Sequence, residues 1–285
     1  MSRIVRRGLD ITFHGVRGST PCHGDDIARY GGNTSCVSVD VPDHPPIVFD
    51  IGTGARYYGL QRSDSPFRGV CLVTHLHWDH IQGLPFFPPL LKPGNHIDMY
   101  APVQESGDSV EEIVRGIVCP PLFPVDLSLL PGELSFHAKG DDEFMIGEIR
   151  VMSRLIPHIG NTLGYRVEID GYSVAYLSDH QQPGIDVYEA STSALELCEG
   201  ADLVIHDAQY TRDEFAMKAD WGHCTPEYAV WLAVEAGAKC VALFHHDPTH
   251  DDDAVDRILH DVRAARSADI EIIAAHEGLA LHIGE

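Results

Sequence analysis

The chain contains no apolar run approaching the about 20 residues of a membrane-spanning helix, and it has no internal repeat or low-complexity tract. Neither a membrane span nor a repeat array is therefore expected. The first fifteen residues, MSRIVRRGLDITFHG, lack the apolar stretch of a secretory signal, which leads to an expectation of a cytoplasmic protein. Cysteines number seven, an odd count with no C-x-x-C pair. A disulfide framework and a zinc knuckle are both disfavoured, and the thiols are expected to be reduced and partly buried. Positive charge is scarce: 20 Lys and Arg face 43 Asp and Glu, a formal net charge of −23. Such a surface lacks the basic footprint of a nucleic-acid binder. The expected partner is a small-molecule substrate rather than a long nucleic acid or a membrane, with a homodimer left open.

What is present is a chain of 285 residues with 44% hydrophobic and 22% charged residues, enough for a sizeable core. It reads as one domain over residues 1–285. The Pro- and Gly-rich stretch 85–131 is expected to be an insert or lid over a site.

A recurring pattern is a short, β-branched apolar run ending abruptly in a polar residue. Pro46–Phe49 ends at Asp50, Val70–Thr74 at His75, and Val174–Ser178 at Asp179. Leu203–Ile205 ends at His206 and Asp207, and Val241–Phe244 at His245, His246 and Asp247. These fit buried strands whose carboxyl ends open towards one place, as ligand sites do in α/β architectures. Turn-initiating His and Asp are the competing explanation for any one of them. Thr225 and Pro226 predict a helix start, with Gly237 after the periodic stretch Tyr228–Ala236. A second helix is expected from Asp252 to Arg266, followed by a strand from Ile270 to Ala274.

Eighteen histidines are many for this length, and four potential ligands crowd into Thr74-His75-Leu76-His77-Trp78-Asp79-His80. His75 and His77 stand two apart at a strand end and point the same way. Asp79 and His80 follow as the chain turns, so one metal held by the first pair and a second held by the other is a natural reading. Imidazole with carboxylate suits zinc and also tolerates manganese, iron or cobalt. A His-rich surface loop is the competing explanation.

This His-x-His-x-Asp-His run resembles the signature of the metallo-β-lactamase superfamily, and the likeness extends through the chain from Gly15-Val16-Arg17-Gly18-Ser19 onward. The resemblance implies an α/β fold, a four-layer αβ/βα sandwich with a site for two divalent metal ions, zinc first and Mn²⁺ or Fe²⁺ as alternatives, at one edge. It implies that His158, Asp179 and His245 complete the ligand set, Asp179 as the bridge, with His246 open as a substitute for His245. Asp207 and His223 resemble a carboxylate–histidine pair of the phosphodiesterase branch, which includes ribonuclease Z and cyclic-phosphodiester hydrolases. Asp207 stands where that branch has Glu, and Cys224 where it has Ser.

The activity implied is hydrolysis of a small phosphodiester, cyclic ones included. Asp79 would orient or deprotonate the attacking water, and His223, its tautomer fixed by Asp207, would protonate the departing oxygen. Arg17 and Asn33, in Gly-rich turns near the start, are candidate substrate contacts, with tight-turn packing as their equal alternative. A lactonase and a non-catalytic metal-dependent sensor or scaffold are the rival readings.

Overall fold

A computed structural model describes residues 7–62, 66–265 and 269–284. The first half of the chain supplies strands β1 (Leu9–Gly15), β2 (Cys36–Asp40), β3 (Ile47–Phe49), β4 (Arg68–Leu72), β5 (His96–Pro102) and β6 (Glu133–Lys139). With them come helices α1 (Ala55–Gln61), α2 (Trp78–Ile81) and α3 (Val110–Ile117). The second half supplies β7 (Asp142–Ile146), β8 (Ile149–Leu155), β9 (Leu163–Ile169), β10 (Tyr172–Leu177), β11 (Leu203–Asp207), β12 (Cys240–Phe244), β13 (Glu271–Ala274) and β14 (Ala280–Ile283). Its helices are α4 (Thr192–Cys198), α5 (Arg212–Met217), α6 (Pro226–Glu235) and α7 (Asp252–Ala265).

Two seven-stranded sheets result, in the orders β14-β1-β2-β3-β4-β5-β6 and β13-β12-β11-β10-β9-β8-β7. The inner faces pack Phe13, Val37, Phe49, Leu72, Tyr165, Val167, Tyr176, Ile205 and Phe244 into a continuous core. A second apolar layer lies beneath α1 and α3 on the first sheet, with Tyr58, Val73, Met99 and Val114. A third lies beneath α4, α6 and α7, with Leu177, Leu197, Leu232 and Leu243. Helices on both outer faces of two stacked sheets are the four-layer αβ/βα sandwich that the resemblance implied. Strands buried on both faces need near-continuous apolar sequence, which is why the runs at β10, β11 and β12 were so legible.

The runs β3–β6 pair in parallel, as do β10–β13. Parallel pairing turns the carboxyl ends of β3, β4, β10, β11 and β12 towards common edges of the two sheets, where ligands gather in open α/β structures. Thr225 caps α6, its side chain accepting from the Tyr228 N–H with Pro226 in the first turn. Gly237 adopts the left-handed φ of +70° past the helix end, as expected of a glycine stop. In the second predicted helix, Arg266 lies outside the described residues.

The expectation for residues 85–131 is corrected. Within that stretch β5 pairs in parallel with both β4 and β6 and buries Ile97, Met99 and Ala101. The flanking prolines and glycines masked a strand in which apolar residues alternate. Strands β1 and β14, which pair antiparallel at the edge of the first sheet, were not anticipated as a pair because nothing local links residues so distant.

Candidate metal centre

The loop after β4 and the short helix α2 carry the four-ligand run, and the ends of β10 and β12 bring Asp179 and His245 against it. His75 Nε2 stands 2.8 Å from His77 Nδ1, and His158 Nε2 stands 3.4 Å from that same His77 nitrogen. Asp179 Oδ2 is 3.8 Å from both His75 Nε2 and His158 Nε2. The other oxygen of Asp179 turns the opposite way. Oδ1 lies 3.1 Å from His80 Nε2 and 3.4 Å from His245 Nε2, and Asp79 Oδ2 lies 3.2 and 3.1 Å from those nitrogens. His75, His77 and His158 thus form one compact donor group, while Asp79, His80 and His245 form another. Asp179 contributes one oxygen to each.

The donors are held by partners that leave one atom of each facing inward. His80 Nδ1 meets Asp50 Oδ2 at 2.8 Å, and Asp50 also accepts from the Thr74 N–H and from the Tyr176 hydroxyl. Thr74 Oγ1 lies 3.1 Å from His75 Nδ1. His158 Nδ1 donates to Gly222 O at 2.7 Å, because a carbonyl can only accept, and this fixes Nε2 as the lone-pair nitrogen. Asp79 Oδ2 accepts from the Ser19 N–H at 2.8 Å. Gly18 permits the approach of His245: a Cβ there would stand 2.5 Å from His245 Nδ1.

These residues fit a divalent cation. His80 Nε2 and Asp179 Oδ1 are fully buried and make no hydrogen bond despite lying close together, a cost a native fold carries only for a reason. Burial opposes ionisation of Asp79 and Asp179, but the neighbouring imidazoles of His80 and His245 hold both carboxyls far below the usual carboxylate range. Burial, then the charge of His80, pushes His75 well down, which keeps it a neutral ligand. Against burial, Asp179 and Asp79 raise His80 and His245. Ionised carboxylates and a neutral His75, in a field that draws positive charge onto His80 and His245, suit a divalent cation that would displace those protons.

His223 and Asp207 meet beside this centre. Their Nδ1 and Oδ2 are 2.9 Å apart, so the shorter aspartate side chain still reaches. Asp207 is held in turn by the backbone N–H groups of His180 and Gln209. His245 faces the centre, whereas His246 turns away, its Nε2 donating to Ala275 O at 2.9 Å.

The two candidate substrate contacts are not brought here. Arg17 is completely buried, its Nε donating to Gly31 O and its Nη1 to the carbonyls of Asp247 and His250. Asn33 donates to Glu277 through both its backbone N–H and its side-chain amide. Packing of the turns, the alternative for both, accounts for them. Asp50, Thr74, Ser19 and Gln209 were missed as supports of the site. Only Asp50 carried a signal, as the polar stop of an apolar run.

Comparison with known proteins accords with the geometry. Residues 48–246 match the family model described as the beta-lactamase superfamily domain, and the chain belongs to that family. A ribonuclease Z of Synechococcus sp. (strain CC9311) is 26% identical, the match covering 85% of this chain and 88% of the relative. Among solved structures, the metallo-beta-lactamase fold protein YhfI from Bacillus subtilis superposes with a TM-score of 0.72 at 17% identity, covering 97% of this chain and 100% of that one. Human tRNase Z, short form, gives 0.67 at 21% identity, covering 96% and 99%. The chain is a hydrolase of this superfamily.

One expectation is overturned by these relatives. The acidic total leads to the expectation of no long nucleic-acid partner, yet the similarity runs to enzymes named for RNA over most of the chain. Net charge averages over a whole surface, while contact with phosphates is decided by local cations, bound metals included. Among the described residues, no helix is long and apolar enough to cross a membrane.

Proposed function

We propose that the protein is a phosphodiester hydrolase working with two divalent ions, zinc at both positions. The observation that carries this reading is the division of Asp179 between two donor groups, Oδ2 towards His75 and His158 and Oδ1 towards His80 and His245. His75, His77, His158 and Asp179 would hold one ion; Asp79, His80, His245 and the same Asp179 the other. Such ions supply Lewis acidity towards phosphoryl oxygens and activation of water.

The chain's own groups do the rest. Asp79, anchored through Oδ2 by Ser19 N–H, orients the attacking water or accepts its proton. His223 receives Asp207 on Nδ1, which leaves Nε2 to deliver a proton to the leaving oxygen. The cysteine at 224 does not disturb this pair: its Sγ donates to Asp207 O at 3.0 Å and stays fully buried.

The test is a parallel assay of the zinc-loaded protein, with its metal content measured. The substrates are bis(p-nitrophenyl) phosphate, a 2′,3′-cyclic nucleotide, a tRNA precursor with a 3′ extension, and an acyl-homoserine lactone. Cleavage of one or more phosphodiesters at a metal-to-protein ratio of two is expected. Lactone turnover with every phosphodiester left intact would refute the proposal.

A further inference from the structure

An apolar groove of about 260 Å³ is lined in part by Trp78, the neighbour in the chain of two of the donors. This residue sits in the chain between His77 and Asp79, so its Cα is about 3.8 Å from the Cα of each. Its side chain is 58% exposed. Across the groove, Phe86 and Phe123 meet edge to face with centroids 5.8 Å apart, and Phe86 is 55% exposed. Leu122 adds a further exposed apolar edge. Gln82 also lies in the lining, its Nε2 donating to Thr34 Oγ1 at 3.3 Å, and among the described residues no charged side chain lines the groove. Beside it His77 is the solvent-exposed member of its donor group.

Exposed aromatic side chains are costly to leave in water unless something covers them. A wall of flat rings without charge does not suit a phosphate, for which the adjoining centre is already built. It suits a planar, neutral, partly polar group covalently attached to that phosphate. Stacking on aromatic rings is how proteins hold unpaired bases. Trp78, which lines the groove and stands in the chain between two donors, would bring such a base close to its own phosphodiester.

We propose that this groove is a nucleobase subsite, with Trp78 as its stacking platform, so that the substrates are nucleotide phosphodiesters. The proposal rests on the phosphodiesterase reading and narrows it to a substrate class.

The experiment compares two diesters with the same leaving group, thymidine 5′-(p-nitrophenyl phosphate) and ethyl p-nitrophenyl phosphate, on the zinc-loaded protein. For Trp78→Ala the KM of the thymidine diester rises about tenfold or more, the size of one lost stacking interaction. The ethyl diester changes less than about twofold in KM, and metal content is unchanged. Trp78→Phe restores most of the loss. Phe86→Ala, remote in sequence from every metal donor, shows the same selective rise at smaller size, which guards against a local disturbance by the Trp78 change. Equal effects on both diesters, or none on either, overturn the subsite. So does a solution dimer that Phe86→Ala dissociates, because a second copy would then cover the groove.

A titration independent of turnover separates this proposal from the reading it rests on. Thymidine 5′-monophosphate quenches tryptophan emission of the wild type, ribose 5-phosphate does not, and Trp78→Phe loses the effect. Quenching without cleavage of any diester would sink the hydrolase reading and leave the subsite standing. Cleavage of both diesters without quenching and without a selective KM change would sink the subsite alone.

Discussion

Asp50 Oδ2 lies 2.8 Å from His80 Nδ1, and both side chains are fully buried. Asp50 closes β3 with a left-handed φ of +55°, while His80 sits in α2 after the neighbouring strand. The hydrogen bond turns His80 Nε2 inward and raises its basicity. Asp50→Asn, which keeps the shape and removes the charge, should weaken the ion held by Asp79, His80 and His245 about 10–100-fold. The other ion should be largely unaffected. Competition with a chromogenic chelator, resolving two affinities, measures this.

His158 and His245 belong to different donor groups, and Asp179 reaches both. His158→Ala and His245→Ala should each lower the zinc content from two ions to one per chain, and Asp179→Ala should cost both. Metal analysis after gel filtration checks the series. A loss of both ions in either histidine variant would contradict the division of roles.

Replacing His223 by Ala removes a proton donor and leaves both donor groups complete. Turnover of diesters with alkoxide leaving groups should fall about 10²–10⁴-fold, while p-nitrophenolate, which needs no proton to depart, should be nearly unaffected. Asp207→Asn should follow the same pattern more weakly. The quantity to measure is the dependence of kcat on leaving-group pKa, which should steepen in the variant. An unchanged slope would remove His223 from the acid role.

Arg17 behaves as a structural clamp. Its guanidinium ties the start of the chain to Asp247 and His250 through their carbonyls. Arg17→Met should lower folding stability by about 3 kcal/mol, since carbonyls that accepted from a charged donor are left buried. The KM of the folded fraction should not change. Thermal unfolding together with kinetics below the transition distinguishes this from a lost phosphate contact.

His14 is buried, with Nε2 2.9 Å from Ser38 Oγ, and burial followed by the charge of Arg62 lowers its pKa from 6.5 to about 4. Between those values the unfolded chain takes up a proton that the native one refuses. The contribution is therefore intact above pH 6.5 and is lost as pH falls towards 4, at a slope of up to about 1.4 kcal/mol per pH unit. His14→Gln should flatten acid-induced loss of stability in that window, as followed by urea denaturation at several pH values.

Legibility in the sequence tracked locality. The run from His75 to His80 is compressed into one strand end, and the buried strands β10, β11 and β12 announce themselves as apolar runs with polar stops. His158 was placed by resemblance, because a lone histidine in a loop carries no pattern of its own. Arg17 misled for a physical reason: an arginine among glycines fits an anion site and a backbone clamp equally well until burial is known. Asp50 and Ser19 act on the site only through hydrogen bonds to residues 30 and 60 positions away, a relation that no spacing rule expresses. The strand β5 was obscured by the prolines around it. The charge argument failed because a sum over the whole chain contains no geography.

The two donor groups draw on both halves of the chain: Asp79 and His80 from the first, Asp179 and His245 from the second. With the proposed ligand sets, no amino-terminal fragment that stops short of Asp179 would hold a finished seat for either ion, and the seat that needs His245 would come later still. The ion that needs His245 would thus wait for a nearly completed polypeptide, and each bound cation would then act as a rivet between the two sheets. Chelation should consequently reach beyond chemistry at the edge and loosen the seam between the halves, making the junction from Lys139 to Asp142 a place where a protease would gain entry.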